Sequence, residues 1–185
     1  MLRSLLTVGS IAVFALTSVT AIDGQAAKPA TTTVILDTTK GQIEIQTSPS
    51  DAPKSVERFV ELAKRSFYRE QRFHWVQSNL VQVGDPLTRD LTKMQDWGKG
   101  GSGPGFKLRP VGVAETSKTA FNRGVVALAY LTGSRPEAAD SQFFIVKIPS
   151  PGLNGKYAVI GRVTKGMAAV DKIERLDTIK MVTVK

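Results

Sequence analysis

The pattern of apolar and polar positions predicts a chain made mainly of β-strands. Within "TVILDTTKGQIEIQTS", residues 33–48, Ile43 and Ile45 alternate with polar neighbours, which is the period-two pattern of a half-buried strand. Gly41 can adopt the positive φ of a tight turn after "TTK", so this segment is predicted to be a hairpin. Six further short segments have the composition of strands: residues 73–77, 80–84, "GVVALAYL", "SQFFIVKI", "YAVIGRVT" and "TIKMVTVK".

Two segments instead show the spacing of amphipathic helices. In "SDAPKSVERFVELAKRSFY", Asp51 is placed to cap the helix and Pro53 is tolerated in its first turn. The second helix is predicted at "KGMAAVDKIERL", residues 165–176. Because strands outnumber helices and most connections are too short for parallel crossovers, the predicted fold is mainly β: a closed eight-stranded antiparallel β-barrel capped by two α-helices.

The first 21 residues have the composition of a secretory signal peptide. A short positive start containing Arg3 is followed by the uncharged "LLTVGSIAVFALTSVTA", which ends in small residues. A transmembrane helix is the alternative, but the apolar stretch is short for one. We therefore predict cleavage after Ala21, a flexible linker at 22–32, one domain at 33–185, and a periplasmic or secreted location without stable membrane insertion after cleavage.

Composition excludes several kinds of chemistry. The chain has no cysteine and one histidine, so disulfides, zinc–thiolate sites and multi-histidine metal sites are excluded, and no metal or cofactor is expected. The net charge is +9, but the basic residues are dispersed along the chain, which favours a solvated basic surface over nucleic-acid binding. "GKGGSGPG", residues 98–105, lacks the arrangement of a phosphate loop and lies in a long loop, 86–110, that is either functional or mobile.

Polar residues inside two of the apolar segments need hydrogen-bond partners, which either the protein itself or the backbone of a ligand could supply. Gln82 and Gln142 each interrupt a strand that is otherwise apolar, and a buried amide is costly unless it finds hydrogen-bond partners. Ser141 has no histidine or acid at a spacing that suggests a catalytic triad. His74, alone on its strand, is more typical of a structural residue than of a catalyst.

Several separate motifs, in order from Thr33 to Lys185, resemble the cyclophilin-type peptidyl-prolyl cis–trans isomerases. They are "TTKGQIEIQ…DAPKSVERFVELAKRSFY", "FHWVQSNLVQVGDP" with the Gly-rich loop after it, "GVVALAY", "SQFFI" and "LNGKYAVIGRVTKGMAAVDKI". The resemblance implies the same barrel with two helices, a monomer, and proline-containing polypeptides as partners.

The resemblance also implies the site residues. The catalytic positions correspond to Gln82, Gln142 and Trp75, and Trp75 stands where the family has an arginine. The expected substrate-binding residues are Leu80 and Val81 in the wall of the proline pocket, Ala129 and Tyr130 with their backbone groups, Phe144 as the pocket floor, Leu153, and Tyr157. The chain is one residue shorter than the family between Gln77 and Val81, and Gly152 replaces a tryptophan that some members carry.

The substitution at Trp75 leaves two main functional hypotheses. Rotation about an X–Pro bond needs no nucleophile, only tighter binding of the twisted amide, and the family arginine is the donor that stabilises it. The first hypothesis is an isomerase of reduced activity that assists the folding of exported proteins, with Arg72, Arg123 or Arg135 as candidate replacement donors. The second is a non-catalytic proline-peptide binding module or chaperone on the same fold. A protein that binds surfaces through its basic face is a third.

Overall fold

Eight antiparallel strands form a single sheet in the computed structural model, which describes residues 30–185. In chain order they are β1 Thr33–Thr38, β2 Gly41–Thr47, β3 Trp75–Val76, β4 Leu80–Val83, β5 Val125–Leu128, β6 Phe143–Val146, β7 Val159–Lys165 and β8 Ile179–Val184. Their spatial order is β3-β4-β6-β5-β7-β2-β1-β8.

The predicted N-terminal hairpin is confirmed. β1 and β2 pair from Thr33 opposite Gln46 to Thr38 opposite Gly41, and Gly41 has a φ of 124°. Thr32 is already held to β2, because its N–H donates to the Thr47 hydroxyl at 2.9 Å. Residues 1–29, with the predicted signal peptide and most of the predicted linker, lie outside the described residues.

The central strands β5 and β6 are buried on both faces. Successive side chains of a strand point to opposite sides, so Phe143 and Ile145 enter the main core while Phe144 and Val146 enter a second apolar cluster. This explains why "VVAL" and "FFIV" are continuous apolar runs without alternation. The second cluster provides the floor of the groove described below.

The sheet is an open, curled half-barrel, with β3 and β8 as its two edges. Residues 70–73 and 176–179 exchange backbone hydrogen bonds between these edges, and Arg72 and Thr178 form an isolated antiparallel bridge. No continuous ladder joins β3 to β8 in the described residues. The mainly β fold with eight antiparallel strands is therefore confirmed, whereas full closure of the barrel is not.

Within the described part of the chain, two α-helices accompany the sheet, as predicted: α1 at Pro53–Lys64 and α2 at Met167–Lys172. Asp51 was wrongly predicted as the cap of α1, since Ala52 occupies that position and makes no side-chain capping bond. The cap comes instead from Glu115, which lies in the long loop between β4 and β5. Its carboxylate oxygens accept from the N–H groups of Lys54 at 2.9 Å and Ser55 at 2.8 Å. The loop and the helix are thereby joined at the helix N-terminus, where negative charge is stabilising.

Within residues 30–185, no helix combines the length and the apolar character that crossing a membrane requires.

Candidate active site

A cavity of about 610 Å³ lies against the outer face of the strands from β3 to β6. It brings together nine of the ten site residues predicted from the sequence: Trp75, Leu80, Gln82, Ala129, Tyr130, Gln142, Phe144, Leu153 and Tyr157. These residues come from β3, β4 and β6 and from the segments next to β5 and β6, so only the folded sheet assembles them. We call this cavity the groove.

Val81 is the exception, and its prediction as a groove residue is wrong. It pairs with Ile145 and is fully buried in the main core, whereas its neighbour Leu80 is half-buried and lines the groove. Alternation along β4 allows only one residue of the pair to face the groove. The one-residue deletion before Val81 left this choice undetermined in the sequence.

One end of the groove is apolar and aromatic. Phe144 is only 2% exposed, and its ring meets Tyr157 edge-on at 5.1 Å between centroids. Tyr157 stacks on Tyr130 at 4.9 Å, and Leu80 and Leu153 pack against the same cluster. Burial raises the pKa of Tyr157, so its hydroxyl is neutral at physiological pH. A neutral, apolar floor of this kind suits a proline ring.

The two glutamines form one hydrogen-bonded unit at the middle of the groove. Gln82 donates through Nε2 to Oε1 of Gln142 at 2.9 Å. Gln142 in turn donates to the carbonyls of Gly98 at 2.8 Å and Gly100 at 2.9 Å. Gln142 is 6% exposed, and its side-chain amide is fully occupied by these hydrogen bonds. Its role is therefore to position Gln82 and the glycine-rich loop that contains Gly98 and Gly100. Gln82 is half-buried, and its side-chain oxygen Oε1, which accepts no hydrogen bond from the described residues, can accept one from a ligand.

Two buried carboxylates organise the glycine-rich loop beside the groove. Asp85 accepts from the N–H groups of Leu87, Gly98 and Gly100, and Asp140 accepts from those of Ser102 and Arg109. A side chain at Gly100 would collide with the Asp85 carboxylate. The glycines thus allow the loop backbone to approach these carboxylates closely, a role that composition alone did not reveal.

Asp140 also joins this loop to α1. The Arg58 guanidinium contacts its carboxylate at 2.8 Å, and the Asp140 side chain is almost completely buried. A buried carboxylate needs such a partner as well as hydrogen bonds, since an unpaired buried charge is strongly destabilising. The loop wall of the groove is therefore tied to the core through ionic and hydrogen-bonded contacts.

Backbone groups next to Ala129 are available to an extended ligand. The Ala129 N–H donates to the Gln142 carbonyl at 2.8 Å, which fixes this segment beside β6. Neither the Ala129 carbonyl nor the Tyr130 N–H has a hydrogen-bond partner among the described residues. These two groups match the expectation that the backbone at this pair faces substrate.

Trp75 stands at the groove rim with 51% of its surface exposed. It pairs with Gln82 across β3 and β4, so a side chain at this position reaches the middle of the groove. Its indole N–H is one neutral donor, against the five charged N–H groups of an arginine. Trp75 therefore offers an uncharged donor at the position where the family resemblance implies a positively charged one.

None of the three arginines proposed as replacements lines the groove. Arg72 donates to the Thr88 carbonyl at 2.6 Å, and Arg123 pairs with Asp171 at 2.6 Å. Arg135, the third, is exposed and lies outside the lining. The arginine that does line the groove is Arg175, which sequence analysis missed because it belongs to the segment between α2 and β8.

His74 is the second groove residue whose environment the sequence did not show. It is 9% exposed, and neither ring nitrogen has a partner among the described residues. Burial lowers the pKa of His74 below its ordinary value of 6.5, so the ring is neutral at pH 7. Among residues 30–185, no cluster of three or more His, Asp or Glu side chains has the geometry of a metal site.

The family model that matches residues 33–185 is described as "Cyclophilin type peptidyl-prolyl cis-trans isomerase/CLD". The chain belongs to this family. A "Probable peptidyl-prolyl cis-trans isomerase" of Brucella abortus is 36% identical over 165 residues, which cover 89% of this chain and 82% of that protein. A peptidyl-prolyl cis-trans isomerase of Dictyostelium discoideum is 34% identical over 148 residues, covering 79% of this chain and 86% of that protein.

Solved cyclophilins share the fold. The crystal structure of a Cryptosporidium parvum cyclophilin type peptidyl-prolyl cis-trans isomerase has a TM-score of 0.68 at 23% identity, and the match covers 84% of this chain and 98% of that one. The same protein was also crystallised in the presence of the dipeptide Ala-Pro, and that structure has a TM-score of 0.66 at 23% identity over 83% of this chain and 98% of that one.

Proposed function

We propose that this cyclophilin accelerates cis–trans isomerisation of X–Pro bonds in polypeptides that bind along the groove. The observation that carries the proposal is the apolar pocket of Phe144, Leu80, Leu153 and Tyr157. It lies directly beside backbone groups of Ala129 and Tyr130 that have no hydrogen-bond partner within residues 30–185. The pocket receives the proline ring, and the backbone groups pair with the extended chain next to it. The relative crystallised with Ala-Pro supports this class of ligand.

The reaction requires only that the twisted amide bind more tightly than either planar form. An X–Pro bond rotates uncatalysed in tens to hundreds of seconds because rotation breaks amide resonance. A fixed proline ring and a held backbone carbonyl favour the twisted geometry. A well-placed donor typically contributes about 3–4 kcal/mol to such a site, and Trp75 offers a single neutral N–H. We therefore expect a slower enzyme than members that carry the arginine.

We infer the cellular role from the N-terminal sequence. The signal-peptide composition of residues 1–21 supports export, and the mature chain would begin near Ile22 in the periplasm or outside the cell. The protein would act there as a monomer on exported chains whose folding waits for proline isomerisation. N-terminal sequencing of protein from the source cells tests the export step, and recovery of the full-length chain in an integral membrane fraction would contradict it.

Exchange spectroscopy by NMR on a short capped Ala-Pro peptide tests the catalytic proposal. The chain from Ile22 at micromolar concentration should produce exchange cross-peaks between cis and trans resonances, which the peptide alone does not show on the same timescale. Binding is measured in parallel by tryptophan fluorescence, because both tryptophans of the chain, Trp75 and Trp97, line the groove. An Ala-Ala peptide of equal length is the control ligand.

A non-catalytic proline-peptide binding module or chaperone is the second candidate, and the absence of the arginine at Trp75 is the observation that favours it. Both functions predict fluorescence changes with Ala-Pro and not with Ala-Ala. Binding without accelerated exchange would establish the binding module. If neither peptide binds the groove, both candidates are wrong.

A further inference from the structure

Arg175 is a groove cation with no ionic or hydrogen-bonding partner in the part of the chain that the structure describes. Its guanidinium lies over the Trp97 ring at 5.9 Å, and it makes no salt bridge or hydrogen bond with any residue between 30 and 185. The neighbouring carboxylates are engaged elsewhere, since Lys40 contacts Glu174 at 2.8 Å and Asp177 at 3.6 Å. The charge of Arg175 is therefore available to a ligand.

The position of Arg175 is fixed by the chain around it. The N–H of Leu176 donates to the Phe73 carbonyl at 3.1 Å, so the segment is anchored beside the start of β3. Beneath the guanidinium, the Trp97 indole donates to the carbonyls of Leu87 at 3.1 Å and Asp90 at 3.2 Å. An arginine that already lies over an anchored ring loses less freedom on binding an anion than one that extends freely into solvent.

The charges that line the groove are of one sign. Two residues that line the groove, Arg175 and Lys99, carry a positive charge at neutral pH. No aspartate or glutamate in the described part of the chain lines it. Lys99 is partly neutralised by Asp96 at 3.0 Å on the exposed surface, which leaves Arg175 as the dominant charge. His74 lines the same region, but both of its ring nitrogens are buried and its ring adds no charge at neutral pH.

We propose that Arg175 is a specificity-determining residue that selects proline segments with an acidic side chain near the proline. This inference rests on the proposed groove function and narrows its substrate class. The proline occupies the aromatic end at Phe144, and an acidic side chain of the same segment pairs with the guanidinium on Trp97. Because a guanidinium binds a carboxylate through two parallel N–H bonds, the pairing favours Glu or Asp over neutral residues.

The test is a set of capped peptides of equal length that contain Ala-Pro and one variable residue. The variable residue is Glu, Gln or Lys, placed two residues before or two residues after the proline. The kcat/KM of exchange and the Kd are measured for each peptide with the chain from Ile22. For the wild type we expect Glu to be preferred over Lys by about three- to tenfold on at least one side, and less at high salt.

Two variants separate a local pairing from a general charge effect. Arg175→Glu should reverse the order of the Glu and Lys peptides. Lys64→Glu makes the same change of net charge at an exposed residue of α1 that does not line the groove, and it should keep the wild-type order. Melting curves of both variants verify that they are folded.

Three outcomes would overturn the inference. Equal kcat/KM for Glu, Gln and Lys peptides on both sides removes the acidic preference while leaving the isomerase intact. If the preference for the Glu peptide over the Lys peptide shifts equally in Arg175→Glu and Lys64→Glu, the preference is due to net charge and not to Arg175. Failure of every peptide to bind or exchange overturns the groove function together with its specificity.

Discussion

Replacement of Phe144 by alanine should weaken peptide binding far more than the same replacement of its neighbour Phe143. Phe144 and Phe143 are adjacent on β6, are 2% and 0% exposed, and face opposite sides of the sheet. Phe144 belongs to the groove cluster, whereas Phe143 packs in the core at 5.1 Å from Phe59 and 5.2 Å from Tyr68. The pair is therefore a matched comparison of groove floor against core.

The sizes of the two effects follow from these surroundings. Truncation of a buried phenylalanine to alanine costs about 3–5 kcal/mol. For Phe144 we expect the lower end, because the space left behind opens onto the groove and can hold water. For Phe143 we expect the upper end, since its cavity is enclosed by the core aromatics. A loss of 1 kcal/mol lowers Tm by about 2–4 °C in a domain of this size.

Peptide affinity should separate the two variants. Loss of the aromatic floor removes much of the apolar contact with the proline ring, so Phe144→Ala should raise the Kd for the Ala-Pro peptide at least tenfold, or about 1.4 kcal/mol. Phe143→Ala, or Phe143→Leu if the alanine variant is unfolded, should change the Kd less than threefold at a temperature where it is folded. Equal affinity losses in both variants, or none in Phe144→Ala, would refute the assignment of the pocket floor.

Three further predictions concern the groove donor, the helix cap and the buried histidine. Trp75→Arg should raise kcat/KM at least tenfold, about 1.4 kcal/mol, by placing a charged donor in the groove; a folded variant with the wild-type rate would show that the missing charge is not limiting. Glu115→Ala should lower the free energy of unfolding in chemical denaturation by about 1–2 kcal/mol, because two N–H groups of α1 lose their acceptor, and the exposed control Glu57→Ala should change it by less than about 0.5 kcal/mol. Burial lowers the pKa of His74 in the folded state, so the unfolded chain binds the proton more readily, and the free energy of unfolding should fall as pH decreases below about 6.5. His74→Gln should flatten this dependence between pH 7.5 and 5.5, and an unchanged slope would contradict the prediction.

Features set by neighbouring residues could be predicted from the sequence. The hairpin at 33–48 has local alternation and a glycine at its turn, and both are present in the structure. The groove residues Gln142 and Phe144 lie in "SQFFI", an intact match to the family, and both line the cavity. In these segments the strand period and the motif spacing agree, which leaves a single choice of face for each side chain.

Features set by distant residues could not be predicted in the same way. The cap of α1 comes from Glu115, about sixty residues further along the chain, and no local signal marks it. Arg175 reaches the groove because its segment pairs with the residues before β3, a contact that links positions about one hundred residues apart. The face of Val81 depended on register next to a deletion, where a shift of one residue reverses every side chain.

The central claim is that the proline of a bound peptide lies on Phe144 between Leu80 and Tyr157. Amide chemical-shift mapping of the chain from Ile22 during titration with the capped Ala-Pro peptide tests this claim most directly. We predict that the largest saturable shifts occur at the amides of Gln82, Tyr130 and Phe144, with no comparable shifts for the Ala-Ala peptide. Shifts of equal size with both peptides, or shifts confined to residues outside the groove, would contradict the account.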